Sequence, residues 1–205
     1  MGLIDIKIVL GVYMLFNDFK TIVKNNRATR RFKKDFKIDK DDLLELVDLA
    51  RVTSSGKNMQ PLKYIIITDD KIKEQVYKPL VWAAHLKEWN QSKDEKPSAY
   101  ILVLNDTSID GFSTIDSGIA MQTITLGATI KGLSSCILAS IDKDEYKKIF
   151  SLDSHLEPMF IIAFGKKDEE IKIVDVVDED TNYYRDKDDI HCVPKRALED
   201  IVLDI

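Results

Sequence analysis

Two short segments concentrate groups able to bind a ligand. Residues 25–37 read NNRATRRFKKDFK, and Arg27, Arg30, Arg31, Lys33, Lys34 and Lys37 crowd together there. Arg27 and Arg30 lie three positions apart and can converge on one phosphate through charge-assisted hydrogen bonds. The same residues also suit a solvated basic loop, because cations are favoured where a helix ends. Residues 53–63 read TSSGKNMQPLK. Three hydroxyls, an Asn, a Gln and two Lys fill a connection that a Gly and a Pro alone could make. Read blandly, it is a hydrophilic turn with Gly56 left-handed. A further basic pair, Lys195 and Arg196, stands in VPKR near the end and by itself reads as exposed tail.

The usual catalytic sets are missing. His85, His155 and His191 have dissimilar neighbours, and the chain contains no HExxH, GxSxG or P-loop. Cys136 sits in an apolar run and reads as a small buried hydrophobe rather than a nucleophile. With Cys192 it makes only two cysteines, without CxxC spacing. That argues against a metal site or a disulfide framework and suits a reducing cytoplasm. Where no side-chain acid, base or nucleophile stands out, a bound cofactor can carry the chemistry.

The elements that must position these groups follow from the apolar pattern. The 205 residues, 44% hydrophobic and 32% charged, can bury a substantial core in a single domain. A net charge of -5, and a basic segment without interleaved aromatics, argue against nucleic acid or an anionic membrane as partner. Residues 8–16, IVLGVYMLF, are too short to span a bilayer and lack the flanks of a signal peptide. We read 1–16 as an N-terminal extension, with Met14 an alternative start, and 17–205 as one domain.

Helices are expected over 17–26 and from about Asp39, where Asp39 caps and Ile38 staples onto Leu43. Residues 64–68, 99–104 and 159–164 read as strands, and 71–91 as irregular helix broken at Pro79. The 116–131 helix is apolar nearly all round and rich in small residues, so burial on most sides is expected. Gly132 ends it, and 133–139 follows as a short buried stretch. Asp142 and Glu145 start a helix through Phe150. Residues 171–177 alternate weakly, and VPKRALEDIVLDI reads as an arm leading into a short helix. Helices and strands mix without βαβ order or a GxGxxG, so the expected fold is α+β with a central, mainly antiparallel sheet.

These segments, taken together, resemble the nitroreductase family. RATRRF at 27–32 is similar to that family's R-S-x-R-x-F segment, and SSGKNMQP at 54–61 to its P-S-(S/G)-x-N-x-Q-P segment. Ile115-Asp116-Ser117-Gly118 and Gly132-Leu133-Ser134-Ser135-Cys136 resemble its central helix and G-L-G-S-C turn, and Val193-Pro194-Lys195-Arg196 its C-terminal phosphate-reaching segment. The order agrees from about residue 17 to the end.

The resemblance implies non-covalent FMN in a site shared by two subunits of an intertwined homodimer. NADH or NADPH would reduce it, and a nitroaromatic, quinone or similar small-molecule acceptor would take the electrons at flavin N5 in a ping-pong cycle. Arg27 and Lys195, with Arg196, would hold the phosphate. Arg30 would face the N1/C2 carbonyl edge, where a cation tunes the ring. Ser55, Asn58 and Gln60, with Ser54 beside them, would meet the ribityl chain and ring edge. Backbone amides near Ser135 and Cys136 would meet N5/O4. Ala28 stands where the family has Ser, Ser54 where it has Pro, and Leu62 where Trp or Phe is common. Residues 71–96 show no counterpart of the Asn and Lys that larger members place beside the flavin. Alternatives are reductive dehalogenation or flavin breakdown on the same fold, a flavin-binding protein with little turnover, or an anion-binding module using 27–37.

Overall fold

The computed structural model describes residues 15–83, 85–86 and 91–203. Most of the expected N-terminal extension, at 1–14, and parts of the irregular stretch, at 84 and 87–90, lie outside the described residues.

Four strands form the central sheet: β1 (Leu62–Ile67), β2 (Ala99–Asp106), β3 (Ser134–Leu138) and β4 (Leu156–Gly165). Their order is β1-β2-β4-β3, and every neighbouring pair is antiparallel. The run AYILVL in β2 is apolar at successive positions because both faces of the sheet are covered. Ile101 and Val103 point into a core shared with Leu43, Leu46, Ile124 and Ala128. Tyr100, Leu102 and Leu104 point the other way, to Val76, Tyr146 and Ile161.

The first face carries α2 (Lys40–Arg51) and α4 (Ser113–Ile130), after α1 at 15–25. Asp39 occupies the N-cap of α2 but makes no side-chain cap bond, which differs from the capping its sequence suggests. The second face carries α3 (Asp70–Tyr77) and α5 (Lys143–Phe150). Asp69 caps α3 by accepting from Lys71 N and Ile72 N, each at 3.0 Å, and Asp142 caps α5 by accepting from Glu145 N at 3.0 Å. The Tyr146 hydroxyl donates to Val76 O at 2.7 Å and ties the two helices together.

The central helix α4 packs closely on α2: a Cβ on Gly127 would come within 2.9 Å of Leu46 Cδ2 and 3.0 Å of Leu49 Cδ2. It ends at Gly132, whose φ of +71° is the left-handed conformation glycine adopts freely. Burial on most sides was expected, and one outward side is left open. Ile115, Ile119 and Ile130 are exposed, with Ile130 at 69%.

A second sheet lay beyond what sequence patterning showed. β5 (Ile171–Asp175) pairs in parallel with β7 (His191–Lys195), and β6 (Tyr184–Arg185) pairs antiparallel with β7's other edge. The expected C-terminal arm therefore begins as a paired strand. Among the described residues no helix is long and apolar enough to cross a membrane.

Candidate cofactor site

The polar connection at 53–60 is pinned to the start of α4. Ser55 Oγ donates to Asp116 Oδ2 at 2.6 Å, and Gly56 N donates to Asp116 Oδ1 at 2.9 Å. Ser55 Oγ also accepts from Gln60 N at 2.9 Å. Gln60 Nε2 donates to Asn58 O at 3.1 Å. The left-handed backbone falls on Lys57 (φ 50°), Asn58 (φ 56°) and Gln60 (φ 55°) rather than on Gly56. Each such non-glycine residue costs on the order of 1–3 kcal/mol and persists only where its surroundings over-determine it. Gly56 is required for a different reason: a Cβ there would lie 2.4 Å from Phe112 Cδ2. Ser54, Ser55 and Gln60 border a cavity of about 380 Å³ whose floor is Val47, Ala50, Leu62 and Tyr64. Burial pushes the Tyr64 phenol up to about 12, helped by Asp116.

The basic segment is pinned at the other end of the molecule. Ala28 bridges Ser135 in parallel, and Thr29 N donates to Ser135 O at 2.9 Å. Arg27 is half-buried, and one Nη donates to Val23 O at 2.9 Å. Its Nε is buried without a partner, as is the Asn26 side-chain nitrogen. Among the described residues no carboxylate pairs with Arg27, and burial holds its pKa below the usual arginine range. A desolvated guanidinium without a counter-charge, beside an unpaired amide donor, is suited to receive an anion.

Arg30 is 9% exposed. Its Nη1 donates to His191 Nε2 at 3.1 Å, and its guanidinium lies 4.1 Å from the Tyr183 ring centroid. The backbone N–H groups of Arg30 and Arg31 both donate to Glu169, the latter at 3.1 Å. The Glu169 side chain is 1% exposed and also pairs with Arg185. Lys195 is the last residue of β7, and Arg196 follows it. Lys195 lies about 13 Å from His191 along the strand at the usual rise per residue, and Arg196 pairs with Glu179 at 2.8 Å. Burial raises the Cys136 thiol to about 11, so it stays protonated near neutral pH. Among the described residues no cluster of three or more His, Cys, Asp or Glu could hold a metal.

These residues fall into two groups. Ser54, Ser55, Asn58 and Gln60 gather at the N-terminal end of α4. Arg27, Ala28, Arg30, Ser135 and Cys136 gather beyond its C-terminal end. An 18-residue helix spans about 27 Å. The sheet gives a similar separation. Ser135 is level with Phe164 and Ala99, whereas Leu62 pairs with Asn105 at the far end of β2. That is about 20 Å along the strands and about 14 Å across them. The sequence reading did not anticipate Asp116, Glu169, Tyr183, Arg185 or His191 as supports of these groups. Glu169 stands in the charged run KKDEE, where nothing in the sequence sets it apart. The one available signal for His191 was its place two residues before VPKR.

A half-buried cation without a counter-charge and a strained, hydroxyl-rich loop over an apolar hollow suit a protein that holds a phosphorylated ligand with a flat ring. The nitroreductase family model matches residues 23–166, and the chain belongs to that family. It is 27% identical over 164 residues to an iodotyrosine deiodinase of Thermotoga neapolitana, covering 72% of this chain and 88% of the relative. It is 25% identical over 164 residues to an NADPH-dependent FMN reductase of Bacillus subtilis, covering 73% of this chain and 65% of the relative. A solved nitroreductase family protein of Clostridium difficile 630 superposes with a TM-score of 0.61 at 26% identity, over 72% of this chain and 83% of that one.

Proposed function

We propose that the chain is an FMN-dependent oxidoreductase that passes electrons from NADH or NADPH to a small-molecule acceptor. The observation that carries this reading is Arg27, desolvated and without a counter-charge beside the Ala28–Ser135 bridge. It fits the phosphate of FMN, with Lys195 and Arg196 the further cations. Bound FMN would supply the redox chemistry at N5, accepting hydride and then reducing a nitroaromatic, quinone or similar acceptor in alternating half-reactions. The chain's own part is to bind and orient. Arg30 would present positive charge to the N1/C2 carbonyl edge, Ser135 and Cys136 backbone amides to N5/O4, and Ser55, Asn58 and Gln60 polar contacts to the ribityl chain and ring.

One chain separates the two polar groups by more than 20 Å, so a single ligand touching both requires a second copy. The exposed Ile115, Ile119 and Ile130 on α4 give such a copy an apolar face to cover. We therefore read the working unit as a homodimer with shared sites. The free, buried Cys136 and Cys192 suit a reducing cytoplasm.

The test is direct. Purified protein should carry an oxidised-flavin spectrum, release FMN on denaturation, and oxidise NADH or NADPH only with an acceptor present. A colourless protein that takes up no added FMN refutes the reading. The similarity to a deiodinase favours a second reading, reductive dehalogenation on the same site. Turnover of halogenated phenols in preference to nitroaromatics and quinones would support it.

A further inference from the structure

We infer that His191 is a positioning residue for Arg30, setting the direction in which its guanidinium meets the flavin. This inference rests on the FMN reading above. Arginine can only donate, so His191 Nε2 must be the acceptor at 3.1 Å. The neutral ring's one proton then sits on Nδ1, which has no hydrogen-bond partner and faces the Glu169 carboxylate at 3.8 Å, beyond hydrogen-bond reach. Both side chains are 1% exposed, so solvent cannot substitute for either partner. The result is an ordered line of carboxylate, imidazole and guanidinium. The negative charge at that distance favours the Nδ1–H tautomer electrostatically, which leaves Nε2 free to accept from Arg30. Tyr183 completes the arrangement. Its ring lies edge-on to His191, with centroids 5.5 Å apart, and under the Arg30 guanidinium.

Each contact removes one freedom of Arg30. Tyr183 holds the guanidinium against its face at 4.1 Å, and His191 sets the direction of one Nη. One of five donors is used, and the fork geometry then directs the others. Glu169 serves both ends of this line. It accepts from the Arg30 backbone N–H and faces the imidazole that takes the Arg30 side chain. It also pairs with Arg185, which lies on β6 beside β7. The small second sheet is thereby a backing for the cation, and a group placed within about half an ångström of its working position needs such a backing.

The experiment compares wild type with His191→Asn, His191→Gln, His191→Met and Arg30→Ala. Asn keeps a polar group near the Nδ1 position and cannot reach Arg30. Gln carries an acceptor near the Nε2 position. Met fills similar space without a strong acceptor and serves if Asn does not fold. Two readouts are taken: the dissociation constant for FMN added to apo-protein, from fluorescence quenching, and the midpoint potential of the bound flavin. His191→Asn and His191→Met should weaken FMN binding about tenfold, the loss of one well-set charged hydrogen bond. They should also lower the potential, in the same direction as Arg30→Ala. His191→Gln should stay within about threefold of wild type and keep the potential. If Asn and Met leave both readouts unchanged, or Gln is as impaired as they are, the inference is overturned while the FMN reading stands. A wild-type chain that binds no FMN overturns the reading and the inference together.

Discussion

Ser55 and Asp116 form the clasp between the polar loop and the central helix: the hydroxyl donates to Oδ2 at 2.6 Å, and the neighbouring Gly56 N–H reaches Oδ1 at 2.9 Å. Asp116 is 3% exposed and stands in the first turn of α4, where the helix dipole favours a carboxylate. The three left-handed residues of the loop depend on this anchor. Asp116→Ala should cost about 1–3 kcal/mol, because it leaves a hydroxyl and an amide without their partner. Chemical denaturation measures the loss, and Asp116→Asn should lose less.

Arg27 separates phosphate recognition from ring recognition. Arg27→Ala should weaken FMN binding at least tenfold, since it removes a charged hydrogen-bond donor. Riboflavin, which lacks the phosphate, should bind wild type and variant alike. Equal loss for both ligands, measured by fluorescence titration, would place Arg27 elsewhere in the site.

Stability should fall with acidity in a window set by His191. Burial lowers its pKa to about 4 from 6.5, with Arg30 and Arg185 adding to the shift and Glu169 opposing it. Between those values the unfolded chain holds the extra proton, so unfolding free energy rises with pH from about 4 and reaches its full value above 6.5. The thermal midpoint should therefore drop as pH is lowered through this range. His191→Gln, which cannot titrate there, should show a shallower slope.

The outward stripe of α4 tests the assembly. Ile115→Glu with Ile119→Glu adds charge to two exposed residues one turn apart and should leave monomer stability within about 0.5 kcal/mol. Sedimentation should show the monomer in place of the dimer, and FMN should be lost with it. A dimeric, flavin-loaded double variant would show that the copies meet through another face.

The central sheet was readable because β1, β2 and β4 are dense in β-branched and aromatic residues, and because β2, covered on both faces, is a continuous apolar run. The small sheet was not, because β6 has two residues and β5 finds β7 in parallel across a long connection. Ser55, Asn58 and Gln60 stood out by their polar side chains, but their anchor did not. Asp116 looks like any acidic residue in a first helical turn, and only the folded chain brings it to Ser55. Glu169 shows the same limit. Nothing in the charged run KKDEE marks the one carboxylate around which two backbone amides and Arg185 close. Gly56 was expected to supply the left-handed turn, yet Lys57, Asn58 and Gln60 do so, and Gly56 makes room for Phe112.

The placement of the two polar groups at opposite ends of α4 has a genetic consequence. In a shared-site dimer, a lesion at Arg27 and a lesion at Ser55 fall in the same site when the two chains of a pair carry one each. In a mixed pair, one site collects both lesions and the other collects none. Two inactive proteins, unfolded together and allowed to re-pair, should then recover flavin binding that neither shows alone. Lesions at Arg27 and Ser135, which sit at the same end, should not rescue each other.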